Sequence, residues 1–219
     1  MTEHDMVKSG EVLLEARDVS FRYGCGPWIL QHVNFAVRRG ERVGLVGPSG
    51  YGKSTLSRIL AGYEKPTGGS VLWKGKPLPK KGYCPVQMIY QHPEKAINPR
   101  WRIRDSLQES WMPDDELLRD LRINKELWFR RWPNELSGGE LQRFCVARVL
   151  GPKTEFLIAD EMSTMLDAIT QAQIWNVLLD RIKRYDIGLL AVTHNMALAE
   201  KICTRIVDLE ELNLIRHDD

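Results

Sequence analysis

Gly47-Pro48-Ser49-Gly50-Tyr51-Gly52-Lys53-Ser54-Thr55 is the stretch on which the fold turns. It follows the short apolar run Arg42-Val43-Gly44-Leu45-Val46 and precedes Leu56, Ile59, Leu60 and Tyr63, which fall at i, i+3, i+4 and i+7 on one helical face. The order predicted is strand, glycine-rich loop, helix. In that context the spacing G-x-x-x-x-G-K-[ST] reads as a phosphate-binding loop. Its glycines let backbone N–H groups turn inward against phosphate oxygens, and the helix N-terminus adds positive potential. Lys53 then supplies a point charge to the β- and γ-phosphates, and the Ser54 hydroxyl ligates Mg²⁺.

Working outward, Val12 to Tyr23 and Val33 to Val37 cluster apolar residues between the turn formers Gly24, Gly26, Pro27, Arg39 and Gly40. Short strands in an N-terminal β region are expected, with a further strand pair around Val71 to Lys74 and Val86 to Gln91. From His92 to Pro133 the chain changes character. It holds four of the seven Trp and many Arg, with short helical patterns broken by Pro93, Pro99 and Pro113. An inserted helical subdomain over about 92–150 is expected. Alternation then resumes: a helix with Leu141, Phe144, Cys145, Arg148 and Val149, the strand Phe156 to Ala159, a helix with Ile174, Val177, Leu178 and Ile182 on one face, and the strand Gly188 to Val192. Alternating strands and helices predict a largely parallel α/β sheet.

The 219 residues suffice for one large domain, and 43% hydrophobic with 27% charged residues exclude collagen-like, coiled-coil and disordered chains. Thirty-one Lys plus Arg against 29 Asp plus Glu give no field that argues for a nucleic-acid partner. Cys25, Cys84, Cys145 and Cys203 are scattered with no CxxC pair, which suits reduced thiols in a cytosolic protein and proposes no metal-cysteine site. Met1 to Gly10 is polar and lacks the core of a secretory signal, and no apolar run approaches a bilayer span. A membrane role therefore has to come through a partner.

Phe156-Leu157-Ile158-Ala159 leads into Asp160-Glu161, two carboxylates at the end of an apolar strand, where parallel α/β sheets present their ligands. In this reading Asp160 holds Mg²⁺ through water, and Glu161 is the general base that polarises the attacking water. An acidic pair there also suits a helix start, but its company with Lys53 favours the nucleotide site.

Leu136-Ser137-Gly138-Gly139-Glu140, followed by Leu141-Gln142-Arg143, resembles the signature motif of ABC-type ATPases and lies between the two nucleotide motifs, where that family places it. Ser and Gly also favour helix N-caps, and Glu the first turn. The resemblance implies that Ser137, Gly138, Gly139 and Glu140 face the γ-phosphate of ATP held on a second, facing subunit. It further implies that Tyr23 stacks on adenine, that Gln91 senses Mg²⁺ and couples the site to the helical subdomain, and that His194 contacts the γ-phosphate and holds the catalytic water. Asp167 belongs to the intersubunit turn. The implied fold is a P-loop NTPase of the ABC type, one nucleotide-binding domain over 1–219, with an N-terminal antiparallel β region, a RecA-like mostly parallel sheet core and an inserted α-helical subdomain. Two departures stand out: Met162-Ser163-Thr164-Met165-Leu166-Asp167 where the family usually has Pro-Thr-Ser-Ala-Leu-Asp, and Tyr51 in place of a small loop residue. A tyrosine at a variable position can point to solvent, so ATP binding is expected to survive.

Within the family, Tyr90-Gln91-His92-Pro93-Glu94-Lys95-Ala96-Ile97-Asn98-Pro99-Arg100 resembles the importers of oligopeptides, dipeptides, nickel and opine-type metallophores. Asn-Pro is also a turn former. Peptide-branch members often extend well past the switch histidine; the end at Asp219 resembles the shorter nickel or metallophore subunits. The resemblance implies a subunit on the cytoplasmic face of a membrane, hydrolysing MgATP beneath integral permease subunits. A second ATPase chain, in a heterodimer or a homodimer, and indirectly an extracytoplasmic solute-binding protein, complete the expected partners. Arg100, Trp101, Arg102, Trp111, Trp128 and Trp132 lie in the part expected to receive the permease; a Trp-rich subdomain core is the simpler reading of the same residues. A soluble ABC ATPase with a non-transport partner, or an exporter subunit, remains the alternative.

Overall fold

The computed structural model describes residues 10–162 and 166–215; the sequence reading of Ser163, Thr164 and Met165 falls outside them. In chain order come β1 (Val12–Phe21), β2 (Leu30–Arg38), β3 (Arg42–Val46), α1 (Lys53–Leu60), β4 (Gly68–Trp73), β5 (Lys76–Pro77) and β6 (Val86–Ile89). Only helices and 3₁₀ turns follow before the next strand: α2 (Ile103–Gln108), α3 (Asp115–Asp120), α4 (Lys125–Trp128) and α5 (Gly138–Val149). Then come β7 (Phe156–Asp160), α6 (Ala168–Tyr185), β8 (Gly188–Val192), α7 (Met196–Ile202), β9 (Arg205–Asp208) and α8 (Leu209–Leu212).

The strands form two sheets, an antiparallel one in the order β2-β1-β4-β5 and a parallel one in the order β6-β7-β8-β3-β9. The expected pairing of Val71–Lys74 with Val86–Gln91 is corrected. β4 pairs with β1 and β5 in the antiparallel sheet, and β6 joins β7 in the parallel one. The reason lies in burial: residues of β4 are largely half-buried or exposed, as in a sheet with one wet face, whereas Val86, Met88 and Ile89 of β6 are buried and only Gln87 is half-buried. β9, which the sequence reading did not single out, adds a parallel edge beside β3.

Period-two geometry explains how the parallel sheet is held. Phe156, Ile158, Leu190 and Val192 face a cluster shared with α1 and the antiparallel sheet. Their neighbours Leu157, Ala159, Leu189 and Ala191 face the opposite cluster, with Phe144 and Val146 of α5 and Ile174 and Leu178 of α6. A sheet covered on both faces needs unbroken apolar strands, and β7 and β8 are buried along their whole length.

In the helical stretch, Pro93 opens a 3₁₀ turn, and Asp114, just after Pro113, caps α3 by accepting the Leu117 N–H at 2.7 Å. Trp128 is buried, and the Trp111 indole N–H reaches the Ala147 and Arg148 carbonyls. Both serve the core. Trp101 and Trp132 are 39% and 37% exposed.

Candidate active site

β6, β7, β8 and β3 stand side by side and parallel, so their C-terminal ends open on one edge of the sheet. That edge gathers Gln91 beyond β6, Asp160 and Glu161 from β7, His194 beyond β8 and the glycine loop beyond β3. The register pairs Asp160 with Val192, which places the acidic pair beside the His194 segment.

The loop between β3 and α1 is shaped by backbone that side chains would spoil. Gly47 has φ 135°, and a Cβ there would stand 3.0 Å from Asp208 Oδ1. Gly52, the left-handed N-cap of α1 at φ 95°, would press a Cβ to 3.0 Å from Ile29 Cγ2. No side chain caps α1, so its first N–H groups stay available to an anion. Lys53 is 5% exposed, and its ammonium donates to the Gly47 and Pro48 carbonyls at 2.8 and 2.7 Å. Thr55 is buried behind it, whereas Pro48, Ser49 and Gly50 are exposed. Tyr51 is half-buried.

Ser54 Oγ donates to Asp160 Oδ1 at 3.1 Å. Burial pushes the Asp160 carboxyl above the ordinary aspartate range, and the Glu161 charge adds to this, while the Ser54 bond pulls the other way. A hydroxyl and a carboxylate oxygen in contact form a hard-oxygen donor pair that fits a small divalent cation such as Mg²⁺.

Glu161 has φ 46°, a left-handed conformation that costs a non-glycine residue about 1–3 kcal/mol and concentrates at functional sites. Its N–H donates to the Val192 carbonyl at 3.0 Å, which fixes the turn against β8. Gln91 Nε2 donates to Glu161 Oε2 at 3.2 Å, and His194 Nδ1 lies 3.6 Å from Oε1. The carboxylate thus sits between an amide and an imidazole, beside a cavity of about 190 Å³ lined in part by Met162, Gln171, Trp175 and Thr193. Met162, where the family usually has proline, is 3% exposed and packs into the core.

Tyr23 stands at the rim, 51% exposed, with its ring edge-on to Phe21 at 4.9 Å. Arg58 Nη2 donates to its hydroxyl at 3.2 Å. An exposed ring braced from behind suits a stacking platform. The sequence reading overlooked Arg58, whose one cue was its place one turn beyond Ser54 on α1.

Ser137 to Glu140 and Asp167 lie apart from this edge, each at a helix start. Ser137 Oγ accepts the Glu140 N–H at 3.3 Å, and Glu140 Oε2 accepts the Ser137 N–H at 2.8 Å, a reciprocal cap on α5. Gly138 is exposed, and a Cβ there would meet nothing within 4 Å. Asp167 caps α6 by accepting the Ile169 and Thr170 N–H groups at 3.0 and 2.9 Å, which holds its carboxyl below the ordinary range. The structure leaves these residues out of direct contact with Lys53 and Asp160.

The family model described as "ABC transporter" matches residues 30–164. "Nickel import ATP-binding protein NikE" of Escherichia coli O6:K15:H31 (strain 536 / UPEC) is 32% identical over 230 residues, covering 93% of this chain and 85% of the relative. The protein of the same description from Escherichia coli (strain K12) is 32% identical over 206 residues, 85% and 76% of the two chains. Among solved structures, the ADP- and Pi-bound dimer of the ATP-binding cassette MJ0796 superposes with a TM-score of 0.73 at 23% identity, over 90% of this chain and 94% of that one. CbiO1 from Clostridium perfringens, described as part of the ABC transporter complex cbiONQ, gives 0.71 at 23% identity, over 90% and 84%. With the glycine loop and the acidic pair on one edge of a P-loop sheet and the Ser137 turn at the start of a helix, the chain belongs to the ABC transporter family as an ATP-hydrolysing cassette.

Proposed function

We propose that the chain is the ATPase subunit of an importer, powering uptake of nickel, a metal–metallophore complex or a peptide through separate permease subunits. The observation that carries the ATPase half is the contact of Ser54 and Asp160 one residue from Glu161, at the same strand ends as Lys53. In this reading residues 1–219 are one nucleotide-binding domain, with 92–150 as its helical subdomain.

Lys53 leaves the Gly47 and Pro48 carbonyls for the β- and γ-phosphates, and Gly47 to Thr55 wrap them with backbone N–H groups. Ser54 and Asp160, with Gln91 nearby, would hold Mg²⁺, which when bound neutralises phosphate charge. Glu161 accepts the proton of the attacking water. Its carboxylate is held toward that task by Gln91 on one side and His194 on the other. Tyr23 stacks on adenine. Ser137, Gly138, Gly139, Glu140 and Asp167 address the nucleotide of a facing subunit, the role that the resemblance to the ABC signature implies, through helix N-termini of the kind that binds anions. The facing subunit is a second ATPase chain, in a heterodimer on the cytoplasmic side of the permease.

The nickel or peptide assignment rests on the 32% identity to the nickel import protein and on the Asn98-Pro99-Arg100 step. That step is a turn, held by Asn98 Oδ1 accepting the Arg100 N–H at 3.0 Å. No helix among the described residues is long and apolar enough to cross a membrane; in this reading the membrane contact is the permease's. The test is ATP turnover of the chain with its companion ATPase and permease in vesicles, with the solute-binding protein loaded by nickel, by a metal–metallophore complex or by peptide. One of the three loads should stimulate turnover; no stimulation by any of them sinks the importer reading. Specific activity against protein concentration decides the intersubunit half: a demonstrated monomer with high, concentration-independent activity would remove it.

A further inference from the structure

The N-termini of α5 and α6 lie side by side. A Cβ on Gly139 would stand 3.7 Å from Thr170 Cγ2 and 3.8 Å from Leu166 Cδ2, so at Gly139 the signature turn meets the Asp167 turn with no side chain of its own. Contacts of that kind resist compression but not sliding. Beneath them lies Arg143 of α5. Its Nη2 donates to Gln173 Oε1 of α6 at 2.9 Å and lies 3.5 Å from Thr170 Oγ1, while Nη1 donates to the Leu121 carbonyl at the end of α3, at 3.1 Å. One guanidinium therefore joins three helices. The adjacent Gln142, 1% exposed, turns the other way, and its amide donates to the Tyr90 carbonyl, the residue before Gln91, at 3.4 Å.

The residue type fits the task. A planar fork reaches acceptors on two helices at once, where a lysine ammonium would hold one at a time. Thr170, which Arg143 approaches, is the residue whose N–H the Asp167 carboxylate holds. A shift of α5 along α6 would thus have to break the Arg143 fork and disturb the Asp167 cap together.

We propose that Arg143 is a positioning residue for ATP turnover, locking the Ser137 turn and the Asp167 turn into one rigid face that meets the facing subunit's nucleotide as a unit. The inference rests on the intersubunit reading above and adds to it which residue fixes the geometry. Arg143 touches neither Lys53 nor the acidic pair, so it acts on the catalytic step and not on the chain's own affinity for ATP. Small displacements at such a face are costly, since about 1 Å of misplacement takes about a hundredfold from a well-aligned reaction.

The experiment compares Arg143→Met, Arg143→Lys, Gln173→Leu and the Arg143→Met/Gln173→Leu double variant in the complex with the companion ATPase and permease. ATP dissociation constants, KM and kcat are measured for each. Arg143→Met should lower kcat about tenfold and leave KM and ATP affinity within about twofold. Arg143→Lys should recover part of the loss. Gln173→Leu should lower kcat about threefold, and the double variant should fall no lower than Arg143→Met, because both changes cut one link. Wild-type kcat in Arg143→Met, a change confined to KM, or losses that multiply in the double variant would overturn the proposal. If Arg143→Met does not fold, Gln173→Leu decides alone, since it leaves the Leu121 contact in place: unchanged kcat sinks the idea. The parent reading fails separately, when the wild-type chain turns over at full rate as a monomer.

Discussion

The phosphate loop and the signature turn are both glycine-rich helix starts, and they are built in opposite ways. At the first, Gly52 caps α1 with backbone alone, which leaves the helix N–H groups open, while Lys53 and Asp160 lie 5% and 6% exposed. At the second, Ser137 and Glu140 satisfy each other's N–H groups and the turn stands at the surface. Buried charge and unsatisfied donors cost free energy that a ligand repays on arrival. An exposed, self-capped turn is stable as it is. The phosphate loop is therefore the half that binds by itself, and the signature turn is the half that contributes only when another surface is brought to it.

The largest effects should fall on the first half and should separate binding from chemistry. Lys53→Ala removes the charge that meets the β- and γ-phosphates, so ATP affinity should fall at least about thirtyfold, and turnover with it. Glu161→Gln keeps shape and removes the base; ATP affinity should hold while kcat falls by about 10² to 10⁴. Equilibrium binding and steady-state turnover on both variants check this. Near-normal turnover in Glu161→Gln would move the base elsewhere, with His194, 3.6 Å from the carboxylate, next in line.

The cysteines give a middle-sized test. Cys25 is exposed two residues beyond Tyr23, whereas Cys145 is buried in α5, with burial pushing its thiol up to about 12. At pH 8 a thiol of that kind offers only about one thiolate in ten thousand, and the thiolate is the reactive form. Alkylation followed by peptide mass spectrometry should label Cys25 and leave Cys145 untouched. Saturating ATP should slow Cys25 labelling about fivefold by covering the Tyr23 edge. Equal labelling with and without ATP would detach Tyr23 from the adenine site.

How far the sequence could be read follows the same division. The glycine loop, the apolar strand ending in Asp160 and the signature cap each depend on residues adjacent in the chain, so local pattern sufficed for Gly47–Thr55, Phe156–Asp160 and Ser137–Glu140. Pairing across the chain was not legible. Val71–Lys74 and Val86–Gln91 are neighbours in sequence but belong to different sheets, because the partners that decide this, Leu14 to Ser20 for one and Phe156 to Ala159 for the other, lie far away. β9 is short and carries charge at both ends, which hid an edge strand. The left-handed backbone of Glu161, the Arg58 bond to Tyr23 and the Arg143 fork need three-dimensional neighbours to be seen at all. Met162 looked like a break in the motif, yet it fills the core where the family's proline would stand.

The smallest expected effect tests the signature turn where its two roles diverge. As a cap, Ser137 accepts the Glu140 N–H, and replacing such a serine by alanine costs about 1 kcal/mol, whereas glycine at an N-cap costs only a few tenths. As a phosphate contact, Ser137 contributes a hydroxyl proton that the cap leaves free, because capping uses the oxygen as acceptor. Ser137→Ala and Ser137→Gly both delete the hydroxyl, but only the alanine should measurably lower the urea midpoint. If the turn faces a partner's nucleotide, kcat in the assembled complex should fall to a similar extent in both variants, by about three- to tenfold for one lost hydrogen bond of ordinary net strength, about 1 kcal/mol. Turnover that instead tracks stability, with Ser137→Gly close to wild type, would make Ser137 a helix cap and nothing more, and the contrast between a self-sufficient half-site and a dependent one would lose its second member.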